Sequence, residues 1–379
     1  MTSSTPPEVE VQDPPRRRPL ASWPVVGIFT IMLLGSFAYA AAFMIPVTMA
    51  LLLSLVFTPV RRFMSRRGIP SGISAAVITV AFMGALMGLF GALSVPIADL
   101  IDDVPTMVEQ IERRFADMRG SFEEIQRTAE QIEEATNGGE ETIQAESGEG
   151  LIETFTGTAP GIMGQAVFML VLLFFLIAAG DLFYRKIIAS FSTLRDKRRA
   201  YAVVREIETS LGSYLGTITL INFALGVCVG LAMWWWGMPS PLLFAAVAFL
   251  FNFIPYLGAI AGVAFAGFIA LVTFPGWAPI FGVMLTYLTL TAVEGQLITP
   301  YFVSRRLRLN TVVVFVAVAF WAWLWSVMGM VMAVPLLVVI RVLCDHIPGL
   351  EHVGNFLSAE DPSVVEEDAE RARSDTDRS

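Results

Sequence analysis

Between Leu242 and Val272 the chain reads LLFAAVAFLFNFIPYLGAIAGVAFAGFIALV, with no charged residue and with Asn252, Pro255, Tyr256 and Gly258 interrupting it near the middle. As one straight helix this run would be about 46 Å long, against a hydrocarbon core of about 30 Å. It is too long to cross a bilayer once and too short to cross it twice. The run from Thr311 to Val342 has the same awkward length and is interrupted by Ser326, Gly329 and Pro335. Each run is therefore expected to fold back inside the membrane as a broken re-entrant hairpin, the two tips facing each other around a transport site.

Composition agrees with a membrane setting. Hydrophobic residues make up 55% of the chain and charged residues 16%, with a mean hydropathy of +0.66, far from an ordinary soluble domain. The fold class this implies is an all-α polytopic membrane protein. The net charge of −9 is gathered in the segment from Asp99 to Glu153 and in the tail after Glu360, both of which read as solvated surface. Cys228 and Cys344 both lie in apolar stretches, which excludes a disulfide framework or a thiolate zinc site. His346 and His352 match no metal-ligand spacing and read as tail structure. No phosphate-binding glycine loop, nucleophile elbow or nucleotide signature is present, which argues against an ATP-driven pump and against an enzyme, and no cofactor is expected.

Taken in order, residues 1–19 form a Pro- and Ser-rich tail that ends in Arg16, Arg17 and Arg18, a positive stop at the cytoplasmic face. The apolar run that follows, Leu20 to Ile45, is longer than a signal-peptide core and is expected to remain as a membrane helix. After Pro46 a second span reaches Val60 and is closed by Arg61, Arg62, Arg66 and Arg67, and a third runs from Ile73 to Ile97, so 20–97 holds three spans. Residues 98–160 are acidic and soluble in character, expected on the non-cytoplasmic side. Within them Val108, Ile111, Phe115, Met118, Phe122, Ile125 and Ile132 recur at helical spacing, an apolar stripe that needs a partner surface. Asn137 to Gly150 reads as a flexible acidic linker. A fourth span, Gly161 to Ala179, opens the 161–213 region, whose basic stretch around Arg195 to Arg199 leads through a cytoplasmic helix into the fifth span, Tyr214 to Trp236. The triplet Trp234, Trp235 and Trp236 reads as an interfacial anchor.

Charge decides the topology of the region 214–345. If Leu242 to Val272 crossed once, the cluster Arg305, Arg306 and Arg308 beyond the next span (Ile280 to Pro300) would be exported, against the bias set by the earlier loops. A re-entrant hairpin keeps those arginines inside, and the same reasoning makes Thr311 to Val342 a hairpin entered from the cytoplasm, leaving the 346–379 tail inside. The expected layout is about six full transmembrane helices plus two hairpins, eight transmembrane segments in all. The second half then contains two opposed repeats, each a span followed by a hairpin, an arrangement that many secondary transporters use to build an alternating-access site.

Irregular backbone is tolerated at membrane depth only where it is buried in protein or lines a cavity. The tips are therefore site candidates. At the first, Asn252 can donate and accept, Pro255 frees a carbonyl, Tyr256 carries a hydroxyl, and Gly258 and Gly262 allow close approach. At the second, Ser326 and Gly329 offer less chemistry, with Pro335 beyond them, and Trp321, Trp323 and Trp325 read as lipid-facing filler. Glu294 is the only ionisable carboxylate or base between Glu208 and Arg305, and a charge inside a span costs at least about 2.5 kcal/mol. With Gln296 nearby and Pro300 ending the span, it could bind H+ or Na+ and couple that ion to solute movement. Asn222 in the fifth span is its polar counterpart.

These residues bring a family into view. The second half resembles the autoinducer-2 exporter family of bacterial membrane transporters, through IPYLG at Ile254 to Gly258, the element from Glu294, Gly295 and Gln296 to Pro300, and Gly329 through Ala333 to Pro335 and Leu336. The order of spans and the soluble segment after the third also match. Departures are Ala259 where the family commonly has Pro, Gln296 for Asn, and Ser304 and Asn310 for Gly and Pro. The resemblance implies a homo-oligomer, a pentamer, in the bacterial inner membrane, with a scaffold and a mobile hairpin-bearing part driven by an ion gradient. The expected function is secondary-active export of a small polar solute, an autoinducer-2-like signal molecule or similar. The competing readings are a sodium/proton antiporter and a non-transporting membrane scaffold. No nucleic-acid partner is expected.

Overall fold

A computed structural model describes residues 23–130, 149–303, 309–347 and 349–357, and the regular elements among them are helices. Five are long and apolar enough to cross a membrane: Ala41–Arg66, Ser71–Asp102, Leu194–Trp235, Trp277–Phe302 and Thr311–His346. The first helix, α1 (Trp23–Tyr39), ends at Ala40 (φ −83°, ψ 8°), and α2 (Ala41–Arg66) carries Pro46 buried within it. The boundary expected at Pro46 is thus displaced toward the N-terminus. Pro46 is the sixth residue of α2, and the helix carries it, like Pro59 further on, without a break.

Helix α3 (Ser71–Glu130) has 60 residues and is about 90 Å long. The third span and the start of the acidic segment are therefore one continuous rod. The side chains of the expected stripe from Val108 to Ile125, the whole of Ile132 and the linker up to residue 148 lie outside the described residues. Ahead of that stripe Met107 is buried against Leu225, Val229, Met233 and Phe244 of later helices, and Leu93 packs with Leu243 and Ala246. The rod leans along the first fold-back.

After it come α4 (Glu149–Ala179) and α5 (Asp181–Ala189), then the 42-residue α6 (Leu194–Trp235), whose start is capped by Thr193 accepting from the Asp196 amide at 3.1 Å. The arginines that close α2 do more than mark a membrane face. The Arg61 guanidinium lies against Gly180 (φ +51°) at the C-terminal end of α4, where the helix dipole favours a cation. Arg62 donates to Glu208 of α6 at 2.5 Å, and Arg205 donates to the other oxygen of the same carboxylate at 2.8 Å. Glu208 is buried, and its two guanidinium partners satisfy both oxygens, which is what makes a carboxylate tolerable there.

The uncharged run becomes α7 (Pro241–Phe251) and α8 (Leu257–Thr273) with a break over residues 252–256. The two helices fold back on each other. Phe244 and Phe265, placed nearly symmetrically about the break, have ring centroids 5.5 Å apart. Next come α9 (Trp277–Val293), a π-turn (Glu294–Ile298) and the single-turn α10 (Thr299–Phe302). The run Thr311 to Val342 lies within α11 (Thr311–His346), which loses helical geometry at Trp325 (φ −132°, ψ 20°) and Ser326 (φ 55°, ψ −142°). It too doubles back: Val314 and Val318 before that point share one cluster with Ala333 and Leu337 after it. A short α12 (Glu351–Leu357) packs on α11 and closes the described chain.

Both fold-backs are sealed by the same contact. A Cβ added at Gly258 would lie 1.8 Å from the Phe251 carbonyl oxygen, and one added at Gly329 would lie 1.9 Å from the Trp321 carbonyl oxygen. Only a hydrogen fits at either place. Gly258→Ala and Gly329→Ala should each destabilise the protein by roughly 1–3 kcal/mol, the cost of overpacking against backbone that cannot rotate away, whereas Gly84→Ala, with nothing within 4 Å of its Cβ position, should be neutral. Thermal unfolding in detergent measures all three.

Candidate functional site

The first tip is held by its backbone. The amides of Asn252, Phe253 and Ile254 donate to the carbonyls of Ala248, Leu250 and Phe251, and Pro255 has no amide to place. The Leu257 amide then reaches the Pro255 carbonyl at 2.7 Å across Tyr256, whose φ of 62° and ψ of −54° define the rarer, positive-φ γ-turn. Strained backbone of this kind persists only where its surroundings impose it, and it concentrates at functional sites. The tip is tied to α6 through Asn252, whose Nδ2 donates to Asn222 Oδ1 at 2.8 Å. Asn222 is fully buried, and its own Nδ2 has no hydrogen-bond partner among the described residues. An orphan donor at that depth is costly unless something transient accepts from it.

Glu294 opens the π-turn and is buried, while Gly295, Gln296, Leu297 and Ile298 are exposed. Widening the helix by one residue per turn is uncommon, and π-turns inside α-helices recur at functional sites. The Thr299 hydroxyl donates to the Glu294 carboxylate from the next turn. Along the same face of α9 lie Tyr287 and Thr291, also buried. The Thr291 hydroxyl is spent on the carbonyls of Tyr287 and Leu288, at 3.1 and 3.0 Å. The Tyr287 phenol covers Gly262 of α8, where an added Cβ would meet the hydroxyl at 2.2 Å.

The antiparallel register of α6 and α9 sets these groups at one level. Trp236, just beyond α6, lays its ring on Gly282 and donates from Nε1 to Thr286 Oγ1 at 3.1 Å. Counting back from Trp236 to Asn222 descends about 21 Å, which on the partner helix reaches residues 296–300. Direct contacts of α6 with the π-turn and α10 agree with that count. The buried asparagine pair and the buried carboxylate thus occupy one layer of the bundle.

One residue of the first tip reaches the second fold-back. Ile254 packs against the cluster formed by the two legs of α11, as do Tyr214, Leu309, Trp321 and Met330. Other expected residues fall elsewhere. Gln296 and Pro300 are exposed, and Gln296, two residues after Glu294, falls on the opposite side of the helix from its buried face. Tyr256 is half exposed and contributes its backbone turn rather than its phenol. Ser326 supplies the positive φ of the second tip and its side chain is exposed, and Pro335 is buried in the return leg, away from the turn. The filler reading fails for Trp325, which is buried, stacks on Trp321 at 4.9 Å and donates from Nε1 to the Phe37 carbonyl of α1 at 3.2 Å. Trp323, 72% exposed, fits that reading. Of the triplet, Trp234 and Trp235 are exposed, but Trp236 is an internal spacer.

Thr291, Thr299 and Tyr287 belong to the site and were not singled out by sequence. Their signal was a spacing of three, five and seven residues from Glu294, indistinguishable from ordinary helix without the π-turn. The chain's two cysteines are unpaired and far apart in sequence, and no group of metal-ligating side chains is gathered among the described residues.

The sequence pattern of the AI-2E family transporters matches residues 28–349. Among similar proteins, YrrI of Bacillus subtilis (strain 168) is 26% identical over 320 residues, covering 80% of this chain and 86% of YrrI. MT0215 of Mycobacterium tuberculosis (strain CDC 1551 / Oshkosh) is 29% identical over 302 residues, 77% of this chain and 79% of its own. TqsA of Escherichia coli (strain K12), named an AI-2 transport protein, is 24% identical over 342 residues, 88% of this chain and 94% of TqsA.

The Asn222–Asn252 pair yields a stability test. Asn252→Leu strands the carbonyl of Asn222 beside its already unpartnered amide and should cost roughly 1–3 kcal/mol. The double substitution Asn222→Leu with Asn252→Leu should cost less than the sum of the single ones. A double-mutant cycle by thermal unfolding decides it.

Proposed function

Because the chain belongs to the AI-2E family of transporters, we propose that it is a secondary-active exporter that moves a small polar solute through the layer containing Glu294 and the Asn222–Asn252 pair. The observation that carries this reading is a buried carboxylate on a π-turn, level with a fully buried amide that has no partner among the described residues. Charges at such depth are expensive and mark ion or solute pathways. In the proposed cycle Glu294 takes H+ or Na+ from one aqueous side. Neutralised, it lets the hairpins rock across the layer, and it releases the ion on the other side while Asn222 and Asn252 hand the solute's hydroxyl or carbonyl groups along.

In this reading the two fold-backs are re-entrant hairpins. The legs α7 and α8, with 11 and 17 residues, are about 16 and 26 Å long, shorter than the hydrocarbon core. The units α6 with the first hairpin and α9–α10 with the second are opposed repeats, supported by the antiparallel pairing of α6 with α9 and by the matching glycine seals. We place the protein in the bacterial inner membrane with both termini cytoplasmic, as a pentamer in line with the family. Autoinducer-2 is the first candidate solute, since TqsA carries that name.

Sodium/proton antiport without an organic solute is the second reading, and one observation favours it: the Glu294 carboxylate and the Thr299 hydroxyl form a pair of hard oxygen ligands. Proteoliposome flux of autoinducer-2, compared with radiolabelled sodium under an imposed proton gradient, separates the two. Under either reading Glu294→Gln should reduce flux to the level of protein-free vesicles, with Glu294→Asp retaining part of it. Full flux in Glu294→Gln would remove the carboxylate from the mechanism.

A further inference from the structure

A cavity of about 280 Å³ lies between the charged end of α6 and the return leg of α11, separate from the Glu294 layer. Its polar lining is Glu206, Thr209 and Ser210 from α6 and Arg341 and Asp345 from α11, with Val338, Val342 and Leu309 as its apolar wall. Arg341 stands 3.9 Å from Asp345, and Glu206 stands 3.3 Å from His346 Nε2, a charged pair only when that imidazole is protonated. A charged guest would have to draw one of these groups away from its neighbour. A hydroxylated guest would not: a carboxylate can accept from two neighbouring hydroxyls, a guanidinium can donate to a third oxygen, and the aliphatic wall suits a C–H face.

The cavity's position gives it a role. Leu309 is part of its wall and also packs against the apolar cluster of α11 on which Tyr214 and Ile254, the latter from the first tip, pack as well. Tyr214 stands one helical turn beyond Ser210 on α6. From Ser210 the same helix leads, about 18 Å further on, to Asn222. Tyr214 lies between Ser210 and Asn222 on that helix, and Leu309 and Ile254 pack against the same apolar cluster as Tyr214.

We propose that this cavity is the vestibule of the solute pathway, a binding site for a small, uncharged, hydroxyl-bearing solute, closed from the Glu294 layer by the Leu309–Tyr214–Ile254 plug. The inference rests on the transport reading above, but it concerns different residues and can fail separately.

The test uses the full chain with Cys228 and Cys344 replaced by alanine and one cysteine introduced by Ser210→Cys, with Thr209→Cys as a second position. Three thiosulfonate reagents are compared, one carrying a neutral sugar, one a quaternary ammonium and one a sulfonate. Each rate is normalised to the same reagent acting on Tyr201→Cys, an exposed position on α6. At Ser210→Cys the sugar reagent should gain about threefold over both charged reagents, the equivalent of one net hydrogen bond. Attaching it to folded, reconstituted protein should then stop the flux of autoinducer-2 or radiolabelled sodium, whichever the unmodified protein carries. Equal normalised rates, or an advantage for a charged reagent, would overturn the solute class. An unreactive cysteine at both positions, or full flux after modification, would overturn the vestibule. If Glu294→Gln retains flux while modification at Ser210→Cys stops it, the ion-coupling assignment falls and the vestibule stands.

Discussion

A helix that turns back among apolar surroundings must hide the amides and carbonyls of its own turn, since no water is there to take them. Both fold-backs of this chain meet that demand in the same way. A glycine of the outgoing leg, Gly258 or Gly329, presses on a carbonyl of the incoming leg, Phe251 or Trp321, and one residue beside it takes positive φ, Tyr256 or Ser326. The rest of the arrangement follows from this constraint. With the legs so close, Phe244 can meet Phe265, Val318 can meet Ala333, and the first tip is narrow enough for Ile254 to reach the cluster around α11.

The polar layer depends on the packing around it. Trp236 over Gly282 sets the register of α6 against α9, and that register carries Asn222 to the level of the π-turn. Asn252 arrives there because α7 stops at Phe251. Glu294 is turned inward because it continues the buried face of Tyr287 and Thr291, and Gln296, two residues further on, falls on the opposite side. At the charged end of the bundle the Arg62–Glu208–Arg205 group joins α2 to α6. In the proposed mechanism that joint belongs to the fixed part, against which the hairpins move.

Much of this was readable before any coordinates. The length of two apolar runs, set against the thickness of a bilayer, predicted both breaks, and the residues named for them, Pro255 and Gly258 in one and Ser326 and Gly329 in the other, are where the chain turns. Glu294 stood out because nothing else near it could ionise. What could not be read was anything requiring two elements at once. Trp325 looks like its neighbours Trp321 and Trp323 until its indole is seen donating to Phe37, nearly three hundred residues away. Glu208 served only as the edge of an uncharged window, although it is the residue that two arginines converge on. Pro46 misled for a different reason, since a helix can carry a proline at the loss of one internal hydrogen bond, as α2 does again at Pro59. The π-turn has no residue signature of its own, so Thr299 and Thr291 stayed invisible.

The central claim is that the two apolar runs return to the side they enter from, so that the span between them alone reverses the chain. Accessibility of single cysteines to an impermeant thiol reagent, in Thr273→Cys and in Ser304→Cys on a background lacking Cys228 and Cys344, tests it directly. The account predicts that the cysteine at 273 is labelled from outside intact cells and that the one at 304 is labelled only after the membrane is opened. Labelling of position 304 from outside, with 273 protected, would contradict it.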